Sequence, residues 1–295
     1  MEAYRSCTLC PRQCGIDRTK VTGACGMGDT LKVARASLHF WEEPCISGEK
    51  GSGTIFFSGC PMGCIYCQNR EIAHEGQGIP ITEARLLEIF WELKEKGAHN
   101  INLVTPTHFV PTIAAAICEA KAQGFMLPFV YNTSGYERVE TLRSLEGLID
   151  IYLTDYRYAS STIAKRYSHR EDYPTVAKAA IQEMVRQTGH PTYDKDGMMI
   201  RGTLARILLL PTHLLDAKLR VKELHSAYGE EIVLSLMRQY TPMPGVPAPL
   251  DRPLHEGEYQ GLVRYAISLG VTEAYTQEGG TETASFIPPF DYTGV

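Results

Sequence analysis

The chain has 295 residues, of which 44% are hydrophobic and 21% charged, the composition of a globular protein able to bury a substantial core. A formal charge of −5 and the lack of a Lys/Arg run argue against a nucleic-acid partner held through its phosphates. No apolar run reaches bilayer length and the opening MEAYRSCTLC has no signal-peptide core, so a cytoplasmic protein with no membrane partner is expected.

In a reducing compartment, nine cysteines at tight spacings point to metal ligation rather than to disulfides. The first group is Cys7, Cys10, Cys14 and Cys25, in CTLCPRQCGIDRTKVTGACG. Four thiols in a short Gly/Pro-bearing stretch suit a tetrahedral zinc knuckle or an auxiliary iron–sulfur cluster; packed, reduced thiols are the plain alternative. Residues 1–48 read as a small cysteine-rich segment and residues 49–295 as the main domain. Cys45 stands alone on a loop leading toward the next strand, where an active-site role is one reading. Cys118, on a helical apolar face, reads as core.

From about residue 53, strand-like runs alternate with helical patterns. The strands are expected at Gly53–Ser58, Asn100–Thr105, Leu127–Asn132, Ile149–Thr154, Thr203–Leu210, Ile232–Leu236 and Glu273–Gln277. Thr82 caps a helix striped by Leu86, Phe90 and Leu93, and Pro111 opens one that stops at Gly124. Pro174 opens another, and Leu262, Ala266 and Ile267 stripe the last. Such alternation predicts a parallel sheet covered by helices, an α/β fold of the partial (β/α)6, TIM-like barrel type with the cysteine-rich segment ahead of it.

Polar residues gather just after the strands: Thr105-Pro-Thr107-His108, Asn132-Thr133-Ser134-Gly135, Asp155-Tyr156-Arg157-Tyr158, Gln239-Tyr240 and Gln277-Glu278. In β/α barrels the C-terminal strand ends carry the chemistry, so this placement predicts one ligand-binding mouth. His108, Arg157 and Glu278 are the candidates to act on a substrate; each also has a plain reading as a partner of backbone groups. Two segments break the alternation. Thr241–Pro253, with five prolines, reads as a stiff loop, and His190–Gly202 as a hairpin or lid.

The most informative segment runs Thr54-Ile-Phe-Phe-Ser-Gly-Cys60-Pro-Met-Gly-Cys64-Ile-Tyr66-Cys67. A strand enters a glycine-containing loop that delivers three cysteines at Cys-x3-Cys-x2-Cys spacing. Cubane clusters normally take one thiolate per iron, so three thiolates leave the fourth iron open to a chelating ligand. S-adenosylmethionine (SAM) chelates through its amino and carboxylate groups, which sets its sulfonium beside the cluster. A zinc site completed by a distant fourth ligand is the structural alternative.

This spacing, with Tyr66 just before the last cysteine and a first strand ahead of it, resembles the radical SAM superfamily. The resemblance implies a [4Fe–4S] cluster on Cys60, Cys64 and Cys67, reductive cleavage of SAM, and a 5′-deoxyadenosyl radical that abstracts hydrogen. It implies Tyr66 against the adenine, Gly63 at the turn between ligands, and Asn132, Thr133 and Ser134 around the ribose and methionine part. More narrowly, Phe40–Gly48, the N-terminal Cys-x2-Cys-Pro-Arg-x-Cys and the ending FIPPFDYTGV resemble a pyruvate formate-lyase activating enzyme-like group. Departures stand beside the likeness: Thr105-Pro-Thr107-His108 replaces the activases' Gly-Gly-Glu, and Asp155-Tyr156-Arg157 replaces their Asp-x-Lys. Asp155 remains a candidate for the methionine end of SAM. The implied partners are a flavodoxin- or ferredoxin-type reductant and a small-molecule or peptide substrate. A glycyl radical enzyme as partner, or a non-enzymatic iron–sulfur or zinc protein, are the alternatives.

Overall fold

Each of the seven runs read as a strand overlaps a strand of the computed structural model, which describes residues 2–277 and 287–295. The first half contains β1 (Leu31–His39), α1 (Pro44–Ser47), β2 (Ser52–Phe57), α2 (Arg70–Ala73), β3 (Ile79–Ile81), α3 (Glu83–Glu95), β4 (Ile101–Val104), α4 (Val110–Ala122), β5 (Phe129–Thr133) and α5 (Val139–Arg143). There follow β6 (Ile151–Asp155), α6 (Ser161–Ser168), α7 (Tyr173–Thr188), β7 (Thr192–Tyr193), β8 (Met199–Leu208), α8 (Leu214–Tyr228), β9 (Val233–Met237), α9 (Glu256–Ser268) and β10 (Ala274–Thr276). The main sheet has the order β10-β9-β8-β6-β5-β4-β2-β1-β3 and is parallel from β2 to β10. The result is a mixed α/β fold with a largely parallel sheet.

The helices cover one face of this sheet. On α3 the Thr82 hydroxyl accepts the Arg85 N–H at 3.1 Å, and Leu86, Ile89, Phe90 and Leu93 are buried at helical spacing. They pack with Ile55, Leu103 and Tyr131, outward-facing residues of β2, β4 and β5. A second apolar layer sets α7, α8 and α9 against β8 and β9 through Ile181, Val221, Leu262 and Leu234. Two helical assignments need correction. Cys118 is exposed, because the buried face of α4 is Ile113, Ala116, Ile117 and Ala120 and one further residue turns the side chain about 100° away. Ile267 is 67% exposed for the same reason, one step past Ala266 on α9.

The other face carries different chemistry at different depths. Its floor is apolar: Cys45 and Ile46 of α1 pack on Val130, Ile151, Leu153, Leu204 and Val233. One pleat higher along their strands come Asn132, Asp155 and Arg206, following the alternation of a strand. The short helix thus plugs one end, and the polar strand ends open at the other.

Two features were not legible as elements, and one that was legible lies elsewhere than a lid would. Strand β1, within the segment read as cysteine-rich, is an integral strand antiparallel to β2; its Lys, Arg and Ser residues hide the apolar run. The last residues return to β1, where Ala36 N–H donates to Thr293 O (2.8 Å), Tyr292 N–H donates to Ala34 O (3.0 Å), and Arg35 pairs with Asp291 (2.6 Å). The 190–202 hairpin forms, with Asp194 Oδ1 accepting the Asp196 and Met198 N–H groups. It pairs with the start of β8, however, so it lies at the end of the sheet opposite the cavity and is no lid over it.

Candidate cluster and cofactor site

The loop after β2 is shaped by two glycines at φ values that other residues rarely adopt. Gly59 (φ +84) lies so close to the Met27 side chain and the Cys25 carbonyl that a Cβ would collide with both, while Gly63 (φ +72) makes the turn between Cys60 and Cys64. The loop is pinned from outside. Ile65 N–H donates to Tyr167 O (2.9 Å), and the Arg170 guanidinium reaches Pro61 O from Nε (3.2 Å) and Nη2 (3.1 Å). Cys60, Cys64 and Cys67 thereby line one cavity with about 1530 Å³ of space, open to solvent.

The cavity gathers most of the residues singled out from the sequence. Asn132, Thr133, Ser134, Asp155, Arg157 and Tyr66 all line it; Gly63 and His108 do not. Asp155 and Arg157 form an ion pair (2.5 Å), and the Arg157 backbone N–H donates to the Tyr173 hydroxyl (2.8 Å), which donates to Ser134 O (2.7 Å). Burial opposes the charge on Arg157, but Asp155, Cys64 and the Tyr66 and Tyr173 hydroxyls together outweigh it and hold the guanidinium protonated well above its ordinary range. Tyr66 is at the wall, yet its ring packs edge-on against Tyr167 and Tyr240 and its hydroxyl meets Tyr158 (2.7 Å). Its side chain is therefore engaged by protein.

His108 needs correction as a substrate-facing candidate. It is fully buried, its Nε2 lies 2.7 Å from Ser58 O, and Arg18 donates to its carbonyl (2.5 Å). Burial pushes its pKa down to about 3, so it is a neutral ring supporting the strand that enters the cysteine loop. Cys45, in the floor, does not line the cavity, and burial pushes its thiol up to about 11. Glu278 lies outside the described residues.

Several cavity residues were not singled out. Glu42 accepts from Asn102 Nδ2 (2.9 Å) and Asn132 Nδ2 (3.3 Å) and pairs with Arg206, which also grips Glu43 through Nε (2.8 Å) and Nη2 (2.6 Å). Burial opposes ionisation here too, but Arg206 holds Glu42 below the usual carboxylate range. The available signal was an arginine inside the apolar run of β8, which in a buried strand demands a partner. Pro288 joins the lining, and Phe290 stacks edge-on to Phe56 (5.5 Å), so the returning tail forms part of the rim.

Among the described residues, no three His, Cys, Asp or Glu side chains converge on a point as a single metal ion requires. A cubane takes one thiolate per iron and so wants its sulfurs spread around one opening, as on this loop. Burial pushes Cys60 up to about 11 and Cys67 up to about 12, so these thiols keep their protons unless a positive charge binds beside them. Arg157 Nε and Asn69 Oδ1 are buried without partners on cavity-lining residues, one donor and one acceptor awaiting a polar ligand. The residues fit a three-thiolate cluster with a polar co-ligand.

The N-terminal thiols are also brought together. Cys10 interacts with Cys25 and Cys14, and Cys25 with Cys7, and burial pushes Cys10 up to about 12. Their segment docks where Arg138 and Thr141 donate to the Thr8 and Leu9 carbonyls (both 2.7 Å). None lines the cavity.

Residues 54–200 match the family model described as the Radical SAM superfamily. The chain therefore carries a radical SAM domain, whose cofactors are a [4Fe–4S] cluster and SAM. It is 25% identical over 248 residues to uncharacterized protein MJ0674 of Methanocaldococcus jannaschii, across 81% of this chain and 67% of that protein. Its fold resembles a radical SAM methyltransferase from Sphaerobacter thermophilus (TM-score 0.54, 13% identity, 78% of this chain, 68% of that one). It also resembles Streptococcus suis SuiB bound to precursor peptide SuiA (TM-score 0.51, 10% identity, 77% of this chain). The chain spans about half the length of SuiB, 48%. At these identities the likeness is one of fold. No described helix is long and apolar enough to cross a membrane.

Proposed function

We propose that this protein is a radical SAM enzyme whose cluster sits on Cys60, Cys64 and Cys67 in a partial β/α barrel and which acts on a small-molecule or peptide substrate. When bound, cluster and SAM supply reductive carbon–sulfur cleavage and a 5′-deoxyadenosyl radical that abstracts hydrogen. The observation that carries the reading is the opening of all three thiols into one cavity with Asn132, Ser134, Asp155 and Arg157. Arg157, with an unpartnered Nε, suits a carboxylate, and Asn69, with an unpartnered Oδ1, suits an ammonium; both groups belong to the methionine end of SAM. The Asp155 pairing fixes the orientation of Arg157, and Glu42 with Arg206 holds Asn102 and Asn132 in the layer beneath.

The tail at the rim narrows the mouth, which favours a small substrate over the loop of a large partner enzyme. That distinguishes the reading from an activase of a glycyl radical enzyme. SuiB, of similar fold, was solved with a precursor peptide, so a short peptide stays within the proposed substrate class. The test is spectroscopic. Anaerobically reconstituted, reduced protein should show an electron paramagnetic resonance (EPR) signal that changes when SAM is added, and Cys64→Ala should lack it. A loaded cluster whose signal ignores SAM would overturn the proposal.

A further inference from the structure

We propose that a buried chain of hydroxyls, running from Tyr66 through Tyr158 to Ser168, sets the reduction potential of the cluster through Cys64. The inference rests on the reading of Cys64 as a cluster ligand. Ser168, the last residue of α6, donates its hydroxyl to Cys64 Sγ at 3.1 Å. Tyr158 is 2.7 Å from the Ser168 hydroxyl, and Tyr66 is 2.7 Å from Tyr158. All four side chains are buried.

A thiolate only accepts. With Ser168 committed as its donor, Tyr158 donates to Ser168 and Tyr66 to Tyr158, so every hydroxyl points toward the sulfur and polarises the next. Arg157 Nη1, at 3.8 Å, adds a charged donor to the same atom. The other thiols are served differently: Cys60 Sγ takes the backbone N–H of Met62 at 3.4 Å, and Cys67 takes backbone donation from Asn69. Side-chain donors converge on Cys64, and the anchors from Tyr167 of α6 to Ile65 and from Arg170, just after it, to Pro61 keep that sulfur within their reach.

Reduction adds one electron, taken from a low-potential one-electron donor that is itself oxidised by one; no bond breaks and no proton moves. The added negative charge spreads onto the thiolates, and donors aimed at one of them stabilise the reduced form more than the oxidised form. The chain of hydroxyls therefore raises the potential and eases reduction.

The test is an EPR-monitored potentiometric titration of the reconstituted full chain, with iron and sulfide quantified in each sample. In Ser168→Ala the reduced-to-oxidised ratio at a fixed potential should fall about tenfold, which is about 59 mV for a one-electron couple. Tyr158→Phe should move it the same way by less, and Tyr66→Phe by less again. Tyr152→Phe, whose hydroxyl instead binds Gln187 at 2.7 Å, should keep the wild-type potential. If Ser168→Ala fails to fold or load, Tyr158→Phe decides. Loaded clusters with unmoved potentials, or a shift as large in Tyr152→Phe, overturn the relay alone. A wild-type protein that takes up no iron overturns the cysteine reading on which the relay stands.

Discussion

The two cysteine groups touch, since Cys60 N–H donates to Cys25 O at 3.2 Å, yet their surroundings differ. Cys60, Cys64 and Cys67 line a cavity, on a loop whose sulfurs receive N–H, hydroxyl and guanidinium donors. Cys7, Cys10 and Cys25 are buried beneath that loop, and Cys25 belongs to the main apolar core. Close thiol spacing marks both groups in the sequence. What separates them is the opening beside the thiols, since Cys7 too receives a guanidinium, that of Arg18.

The sharpest way to break this comparison is to remove thiols from each group. Cys60→Ser, Cys64→Ser or Cys67→Ser should abolish SAM cleavage and strip the EPR-active cluster. Cys7→Ser with Cys10→Ser should leave product formation within about threefold, while thermal melts show lost stability from disturbed burial. Complete loss of product in that pair would make the N-terminal thiols part of the catalytic machinery.

The polar layer under the cavity comes next in size. Arg206→Leu leaves Glu42 and Glu43 buried without their counter-charge and should cost about 3–5 kcal/mol in urea unfolding. Arg157→Lys keeps the charge and loses the planar fork, so SAM binding should weaken about tenfold, read by equilibrium dialysis.

The smallest effect belongs to the N-terminal side. Glu137 accepts hydroxyls from Thr107 (2.6 Å), Thr133 and Tyr131 (3.3 Å), but burial outweighs them and pushes its pKa up to about 7. A raised folded-state pKa means the folded chain holds a proton that the unfolded chain has released. Its stabilising contribution is complete below the ordinary value of 4.5 and is lost as pH rises toward 7. Denaturation across that window should show the wild type declining relative to Glu137→Gln, with a constant difference above it.

Much of the fold was legible because parallel strands between helices write near-continuous apolar runs, as in Ile101–Val104 and Val233–Met237. The cluster loop was legible because its spacing is local. The polar layer was not, since Glu42 meets Arg206 across 164 positions and no local pattern announces the pairing. His108 misled for a related reason: its place after a strand is that of a site residue, but its ring turns inward to Ser58. The hydroxyls of Tyr158 and Ser168 likewise carry no local signal of their link to Cys64, which only the fold makes.

The central claim is tested most directly by incubating anaerobically reconstituted, reduced protein with SAM and quantifying 5′-deoxyadenosine by mass spectrometry. The account predicts product from the wild type and none from Cys64→Ala. An intact cluster that yields no 5′-deoxyadenosine with several low-potential reductants would contradict it.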